Sequence, residues 1–181
     1  MYNIFKRISD FTVSVFVTLL LSPFLIPIYI ILKLTAEGYV FYLQERIGFK
    51  NQKFYIYKFA TMLKDSLNLG TGSITLTNDF RVTSVGKYLR SSKINELPQL
   101  YNIIKGDISI VGPRPVLEQD WKLYPDHIRY KIYDVKPGLT GIGSIVFRDE
   151  ESLISEVKGE NLHEFYKRII APYKGELEMW Y

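Results

Sequence analysis

The stretch Lys93-Ile-Asn-Glu-Leu-Pro-Gln-Leu-Tyr-Asn-Ile-Ile-Lys-Gly-Asp-Ile-Ser-Ile-Val-Gly-Pro-Arg-Pro115 places a carboxylate near a helix start and an arginine between two prolines. Gly106 after Lys105 is a helix stop, and Pro98 is tolerated only within a first turn. The pattern predicts a helix from about Asn95 to Lys105, with Asn95 or Ser92 as the N-cap. The unbonded N–H groups of such a first turn favour an anion. Glu96 at the same end would repel a phosphate unless a divalent cation lay between them. A metal–phosphate site is one expectation; an ordinary helix-start charge is the plain alternative. Arg114, its backbone fixed by both prolines, suits bidentate binding of phosphate or carboxylate, against a structural ion pair within its loop.

Working outward, 181 residues make one domain with an appendage. A chain 47% hydrophobic and 15% aromatic is not a disordered one. The net charge of +4 fits an anionic partner such as lipid headgroups, nucleotide or diphosphate without choosing among them. The absence of cysteine excludes disulfides and thiolate metal sites, and two distant histidines, His127 and His163, make a zinc hydrolase a poor fit.

Phe11 to Leu32 is an uncharged run of 22 residues between Lys6-Arg7 and Lys33. At about 1.5 Å per residue it can cross about 30 Å of hydrocarbon. It is too long for a signal peptide and lacks a small-residue cleavage site. Ser22-Pro23 and Pro27 argue against a straight span, because each proline removes a helical hydrogen bond. The Ser22 hydroxyl can rebond a freed carbonyl, so a bend at mid-depth is tolerable. Positive charge on both flanks suits a re-entrant helix with both ends on the cytoplasmic side; a kinked full crossing fits as well.

Beyond Lys33, Tyr39–Leu43 and Lys53–Phe59 read as strands joined by a turn at Gly48–Asn51. Their aromatics and lysines suit either an interfacial belt or a strand core. Asp65 to Asn78 reads as a loop. Val116 to Tyr133 reads as a helix, Lys136 to Gly141 as a constrained loop, Gly143 to Phe147 as a strand, and Arg148 to Ala171 as a helical tail. The Asp149–Glu151 cluster is most simply a solvated helix start. No glycine-rich phosphate loop, Gly-x-Ser-x-Gly elbow or His-Glu-x-x-His is present.

The ordered set of segments is more specific than any one of them. After the apolar run come Gln44-Glu-Arg-Ile-Gly48, Phe54-Tyr-Ile-Tyr-Lys-Phe-Ala-Thr-Met62, Asn78-Asp-Phe-Arg81 and Val85-Gly-Lys-Tyr-Leu-Arg90. Asn95-Glu-Leu-Pro-Gln-Leu100, Lys105-Gly-Asp-Ile-Ser-Ile-Val-Gly-Pro-Arg-Pro115 and Pro137-Gly-Leu-Thr-Gly141 complete it. The chain thus resembles the bacterial sugar transferase family, the monotopic polyprenyl-phosphate phosphoglycosyl transferases, over nearly its whole length. The resemblance implies a mixed α/β fold, a small irregular sheet with surrounding helices, plus an N-terminal re-entrant helix-break-helix. Residues 1–34, with the break at Ser22-Pro23, would lie in the membrane. Residues 35–181 would form a catalytic domain on the cytoplasmic face of the bacterial inner membrane.

The implied reaction moves a sugar-1-phosphate from a nucleotide diphosphate sugar to undecaprenyl phosphate in surface glycan assembly. In the family an aspartate attacks the β-phosphate, and the neighbouring glutamate, Glu96 here, binds Mg2+. Arg114, Arg81, Arg90 and Lys58 are the expected phosphate binders, membrane lipids are expected partners, and no nucleic acid is. Two positions depart from the pattern. Asn95 stands where the family's nucleophilic aspartate does, and an amide has no anionic oxygen to attack with. Ala60 stands where a lysine or arginine is usual, so natural divergence explains the pair better than an engineered change. The chain also ends at Tyr181 where relatives carry a further stretch, which reads as a truncation.

Three readings follow. The chain transfers sugar-1-phosphate with another carboxylate or the lipid phosphate itself attacking. Alternatively, it is a glycosyltransferase that moves only the sugar to a lipid-linked sugar or another acceptor hydroxyl. The third reading is a non-catalytic scaffold among other glycan-assembly enzymes. Retention of Glu96, Arg114 and the Ser22-Pro23 pair argues against the third.

Overall fold

An apolar run of this length finds its backbone partners only in itself, and α1 (Tyr2–Leu34) is a helix of 33 residues. The computed structural model describes residues 2–70, 75–76, 78–157 and 162–181. The helix runs on through Pro23 and Pro27, so the interruption expected at Ser22-Pro23 is not an end of one helix and the start of another. The reason is local. Pro23 withholds the N–H that Leu19's carbonyl would receive, and the Ser22 hydroxyl donates to that carbonyl at 2.8 Å. Leu19 and Phe24 on either side of the pair are 68% and 67% exposed.

The chain divides into two units, Met1–Gln44 with Ile56–Ile104, and Glu45–Tyr55 with Lys105–Tyr181. The hairpin of β1 (Phe41–Ile47) and β2 (Lys53–Phe59) contributes its open end to the first and its turn to the second. The first strand lies two residues later than the sequence suggested and runs to Ile47. The turn passes through Lys50 and Asn51, both at positive φ, which short polar side chains tolerate best.

In the first unit both ends of α1 are tied down. Arg7 sends its two Nη groups to the carbonyls of Ile103 and Ile104 at 2.5 and 2.6 Å. Leu25, Ile28 and Leu32 pack with Val40, Phe59 and Leu89, and Phe41 stacks on Phe59 with centroids 5.6 Å apart. Leu89 belongs to α2 (Ser84–Ser91), capped by Thr83, whose Oγ1 accepts the Gly86 N–H at 3.0 Å. A methyl on Gly86 would run into the Thr61 carbonyl, so only glycine lets the helix start come this close. Ala60, 1% exposed, donates its N–H to Val40 at 2.8 Å. The expected loop 65–78 holds a 3-10 turn at Ser66–Asn68, and its residues 71–74 and 77 lie outside the described ones.

The helix expected from Asn95 to Lys105 comes in two pieces, a 3-10 turn at Ile94–Glu96 and α3 (Gln99–Lys105). Pro98 has no N–H for the Ile94 carbonyl, which instead receives Leu97's at 3.1 Å. Lys93, at φ 59, redirects the chain into the turn. Neither expected N-cap serves α3: Ser92 closes α2 with its hydroxyl on Tyr88's carbonyl at 2.7 Å, and Asn95 is buried. Gly106, at φ 95, ends α3 as its position implied.

In the second unit β3 (Ser109–Val111) runs parallel to β4 (Gly138–Thr140), Ser109 beside Gly138 and Val111 beside Thr140. The helix expected from Val116 to Tyr133 is two short ones, α4 (Glu118–Trp121) and α5 (Asp126–Arg129), separated at Pro125. The strand expected at Gly143–Phe147 is instead α6 (Ile142–Val146). Residues 138–140 already fill the place beside β3, and the chain turns helical after the extended Gly141. The expected tail is broken into α7 (Glu150–Ser155), α8 (Leu162–Phe165), a π turn at Tyr166–Ile170 and α9 (Ala171–Glu178); residues 158–161 lie outside the described ones. Ile108, Tyr124, Ile128, Ile132, Tyr133, Ile170 and Ala171 form its buried interior. The whole is a mixed α/β protein with two small sheets and one long apolar N-terminal helix.

Candidate active site

In the first unit, the site begins with the way α3 is held against β2. The Asn102 side-chain carbonyl accepts the Tyr57 N–H at 3.0 Å, and Tyr57 meets Tyr101 edge to face at 5.1 Å. The next residue along β2 is Lys58, whose Nζ stands 4.0 Å from Glu96 Oε1; both side chains are 16% exposed. That distance is beyond a hydrogen bond but well within charge attraction. Asn95 is 7% exposed, and its Oδ1 is sealed with no hydrogen-bond partner among the described residues. The same is true of Gln99 Nε2, one turn on. A buried carbonyl without a donor is costly, and an amide carbonyl has no anionic oxygen with which to attack. Arg90 lies half-buried in the last turn of α2, where the helix dipole favours a cation.

Arg81 differs from its sequence expectation. It is 1% exposed, with Nε and Nη2 on the Asp79 carboxylate and Nη1 on the carbonyls of Ser66 and Leu69, both at 2.9 Å. The Arg81 hydrogen bond holds the Asp79 carboxyl below its usual range. This commitment fits poorly with a hand offered to substrate phosphate; Arg81 reads as the cation that ties the 65–70 loop. Arg81→Ala is expected to cost about 3–5 kcal/mol by stranding a buried carboxylate. Thermal denaturation checks this, with the donor KM of the folded protein unchanged. A raised KM at unaltered stability would return Arg81 to the binding site.

In the second unit the Gly112–Pro115 loop is fixed bond by bond. Gly112 N–H donates to the Thr140 carbonyl at 2.9 Å, and the Pro113 carbonyl accepts from Gly138 N–H at 2.9 Å. The Arg114 carbonyl accepts from the Tyr133 hydroxyl at 2.8 Å, and the Tyr133 hydroxyl oxygen in turn accepts the Val116 N–H at 3.2 Å. Pro115's carbonyl accepts from Arg46 Nη1 at 3.3 Å, and Val116's from Ile47 N–H at 2.9 Å. Burial pushes the Tyr133 phenol up, so it keeps its proton and remains a donor. Arg114 itself is half-buried on a backbone with little freedom left.

Among the described residues no three of His, Cys, Asp or Glu gather to hold a metal, so an all-protein cage is not present. Magnesium can be held through one or two carboxylates when a diphosphate supplies further oxygens, and Glu96 is a part-exposed carboxylate. Tyr133, Arg46 and Asp79 were not anticipated as supports. Asp79 alone had a signal, its place two residues before Arg81.

The family model described as bacterial sugar transferase matches residues 1–168. Exopolysaccharide production protein ExoY of Rhizobium meliloti is 37% identical over 84% of this chain and 73% of its own length. The uncharacterized sugar transferase EpsL of Bacillus subtilis is 32% identical over 98% of this chain and 77% of its own. The UDP-N-acetylgalactosamine-undecaprenyl-phosphate N-acetylgalactosaminephosphotransferase of Aeromonas hydrophila is 37% identical over 80% of this chain. The chain spans 34% of the length of that last relative.

Proposed function

From the premise that the chain belongs to the bacterial sugar transferase family, we propose that it moves a sugar-1-phosphate from a nucleotide diphosphate sugar to undecaprenyl phosphate. The Aeromonas relative is named for this chemistry, with a UDP-sugar as donor. The setting is the cytoplasmic face of the bacterial inner membrane, in surface glycan assembly. Residues 1–34 enter and leave the bilayer on one side, and residues 35–181 form the catalytic domain. That both ends of α1 are tied within one unit while its middle is exposed supports the re-entrant course.

The observation that carries the reading is the Lys58–Glu96 pair beside a sealed Asn95. In the first unit Lys58 and Arg90 are phosphate binders, and in the second Arg114 is one. Glu96 holds Mg2+, which when bound offsets charge on the diphosphate. Because residue 95 is a buried amide, the lipid phosphate attacks the donor directly. Its oxygen forms the new bond to the β-phosphorus, the bond from that phosphorus to the α–β bridging oxygen breaks, and nucleoside monophosphate leaves with the electron pair. The enzyme's part is to hold two anions in line and to offset their charge.

The test uses the full chain in detergent or nanodiscs with undecaprenyl phosphate, magnesium and UDP-glucose, UDP-galactose or UDP-N-acetylgalactosamine. Release of UMP with a lipid-diphosphate sugar is expected. Release of UDP would instead mean transfer of the sugar alone, and no release with any nucleotide sugar would mean a binding role.

A further inference from the structure

The start of β1 wears its pattern inside out. In a half-buried strand the polar residues face water and the apolar ones face the core. Here Phe41 and Leu43 are each 46% exposed, whereas Tyr42 and Gln44 are half-buried. The outward apolar face continues to either side through ring contacts. Tyr29 of α1 meets Phe41 with centroids 6.4 Å apart, and Phe41 lies over Phe59 of β2 at 5.6 Å. Tyr57, two residues before Phe59, shares its face of β2 and meets Tyr101 of α3 edge to face. Tyr29 and Tyr101, at the two ends of this strip, are 46% and 54% exposed. All of these residues belong to the first unit, as does α1.

Water is a poor neighbour for such a face, and a contiguous exposed apolar patch marks an interaction surface. Its continuation says which one. At Tyr29 the strip runs into α1, a helix long and apolar enough to enter a bilayer, with Phe24, Ile26 and Ile30 exposed along it. Tyr29, Tyr57 and Tyr101 are of the residue type that, with tryptophan, collects where a membrane meets water. We propose that the strip is a membrane seat, lying in the interfacial layer of the bilayer that holds α1. Phe41 and Leu43 face the acyl chains there, and the tyrosine rings sit at headgroup level. Lys58 follows Tyr57 on β2 and lies on its other face, so the seat sets the height of the Lys58–Glu96 pair above the lipid. The inference rests on the reading that residues 1–34 lie in the membrane.

The chain has no cysteine, so a single introduced thiol takes one fluorescent label. The full chain carries nitrobenzoxadiazole at Leu43→Cys, Tyr101→Cys, Leu19→Cys or Lys87→Cys, in vesicles of phosphatidylethanolamine and phosphatidylglycerol. Two strip positions on different elements keep the test decisive where one variant misfolds. Labels at Leu43→Cys and Tyr101→Cys are expected to shift to the blue and to escape aqueous iodide. Lipid carrying a doxyl group near its headgroup should quench both. Leu19→Cys should also be quenched by doxyl lipid, and Lys87→Cys, on the exposed side of α2, by iodide alone. Iodide reaching both strip positions as freely as Lys87→Cys would overturn the seat while leaving α1 in the bilayer. Doxyl quenching as strong at Lys87→Cys as on the strip would equally overturn it, because no one face would then be seated. Escape from iodide without doxyl quenching would put protein over the strip, such as a second copy of this chain, and overturn it too. No doxyl quenching at Leu19→Cys would remove the membrane reading and this inference with it.

Discussion

Replacing Asn95 with aspartate is expected to turn a chain that forms no covalent intermediate into one that keeps the donor's β-phosphate and sugar on itself. The amide has no anionic oxygen, whereas an aspartate supplies one next in sequence to Glu96. With UDP-glucose labelled in the β-phosphate and no lipid acceptor, the variant should retain label and release a burst of UMP. Its rate should exceed that of the unaltered chain by about a hundredfold, some 2.7 kcal/mol off the barrier. The change carries a structural cost. Position 95 is 7% exposed, and a charge there is desolvated, so a loss of about 1–3 kcal/mol in stability is expected. The variant should therefore be the better phosphoryl acceptor and the less stable protein. No retained label and no faster UMP release would show that the pocket no longer places an attacking group in line.

The second large effect is at Glu96. Glu96→Gln keeps the shape and removes the charge, and is expected to lower kcat/KM about 10²–10³-fold, as loss of a charge-stabilising group at a phosphoryl site does. The rate should also lose its steep dependence on magnesium, measured by titration from micromolar to tens of millimolar. Stability should move little, because Lys58 is part-exposed and can turn to water. Activity and magnesium dependence both unchanged would mean that this carboxylate does not meet the metal.

How much of this could be read from residues alone varies with the range of the forces involved. Local chemistry was legible: Gly106 ends α3, Ser22 serves the carbonyl that Pro23 frees, and β2 occupies Lys53–Phe59 as its aromatic pattern implied. Where a single proline decides, weighing it more heavily would have helped. Pro125 divides the helix expected over 116–133, and Pro98 separates the Ile94–Glu96 turn from α3. The strand expected at Gly143–Phe147 was lost to a choice that short sequence cannot express. Two adjacent stretches could both be extended, and only the pairing with β3 selects residues 138–140.

The site shows the same division. Motifs single out Glu96, Lys58 and Arg114, whereas the 4.0 Å approach of Lys58 to Glu96 is a feature of the fold alone. The bonds that hold the Arg114 loop come from Arg46 and Tyr133, distant in sequence and of common residue types. With 14 tyrosines in the chain, nothing local distinguishes Tyr133. Arg81 is the converse case. A basic residue in a motif suits a phosphate, and Asp79, its actual partner, stood two residues away.

The grip of Arg7 on the end of α3 has a practical consequence for anyone wishing to remove this protein's apolar helix. Deleting the first 34 residues would take away more than a greasy tether. The carbonyls of Ile103 and Ile104 would lose the guanidinium that serves them, and Val40, Phe59 and Leu89 would lose the aliphatic cover of Leu25, Ile28 and Leu32. The remainder would carry a raw apolar scar next to the helix that follows Glu96, and would aggregate rather than dissolve. Solubility is better sought by recoating the outward face of α1, at positions such as Leu19 and Phe24, and leaving its inward contacts alone.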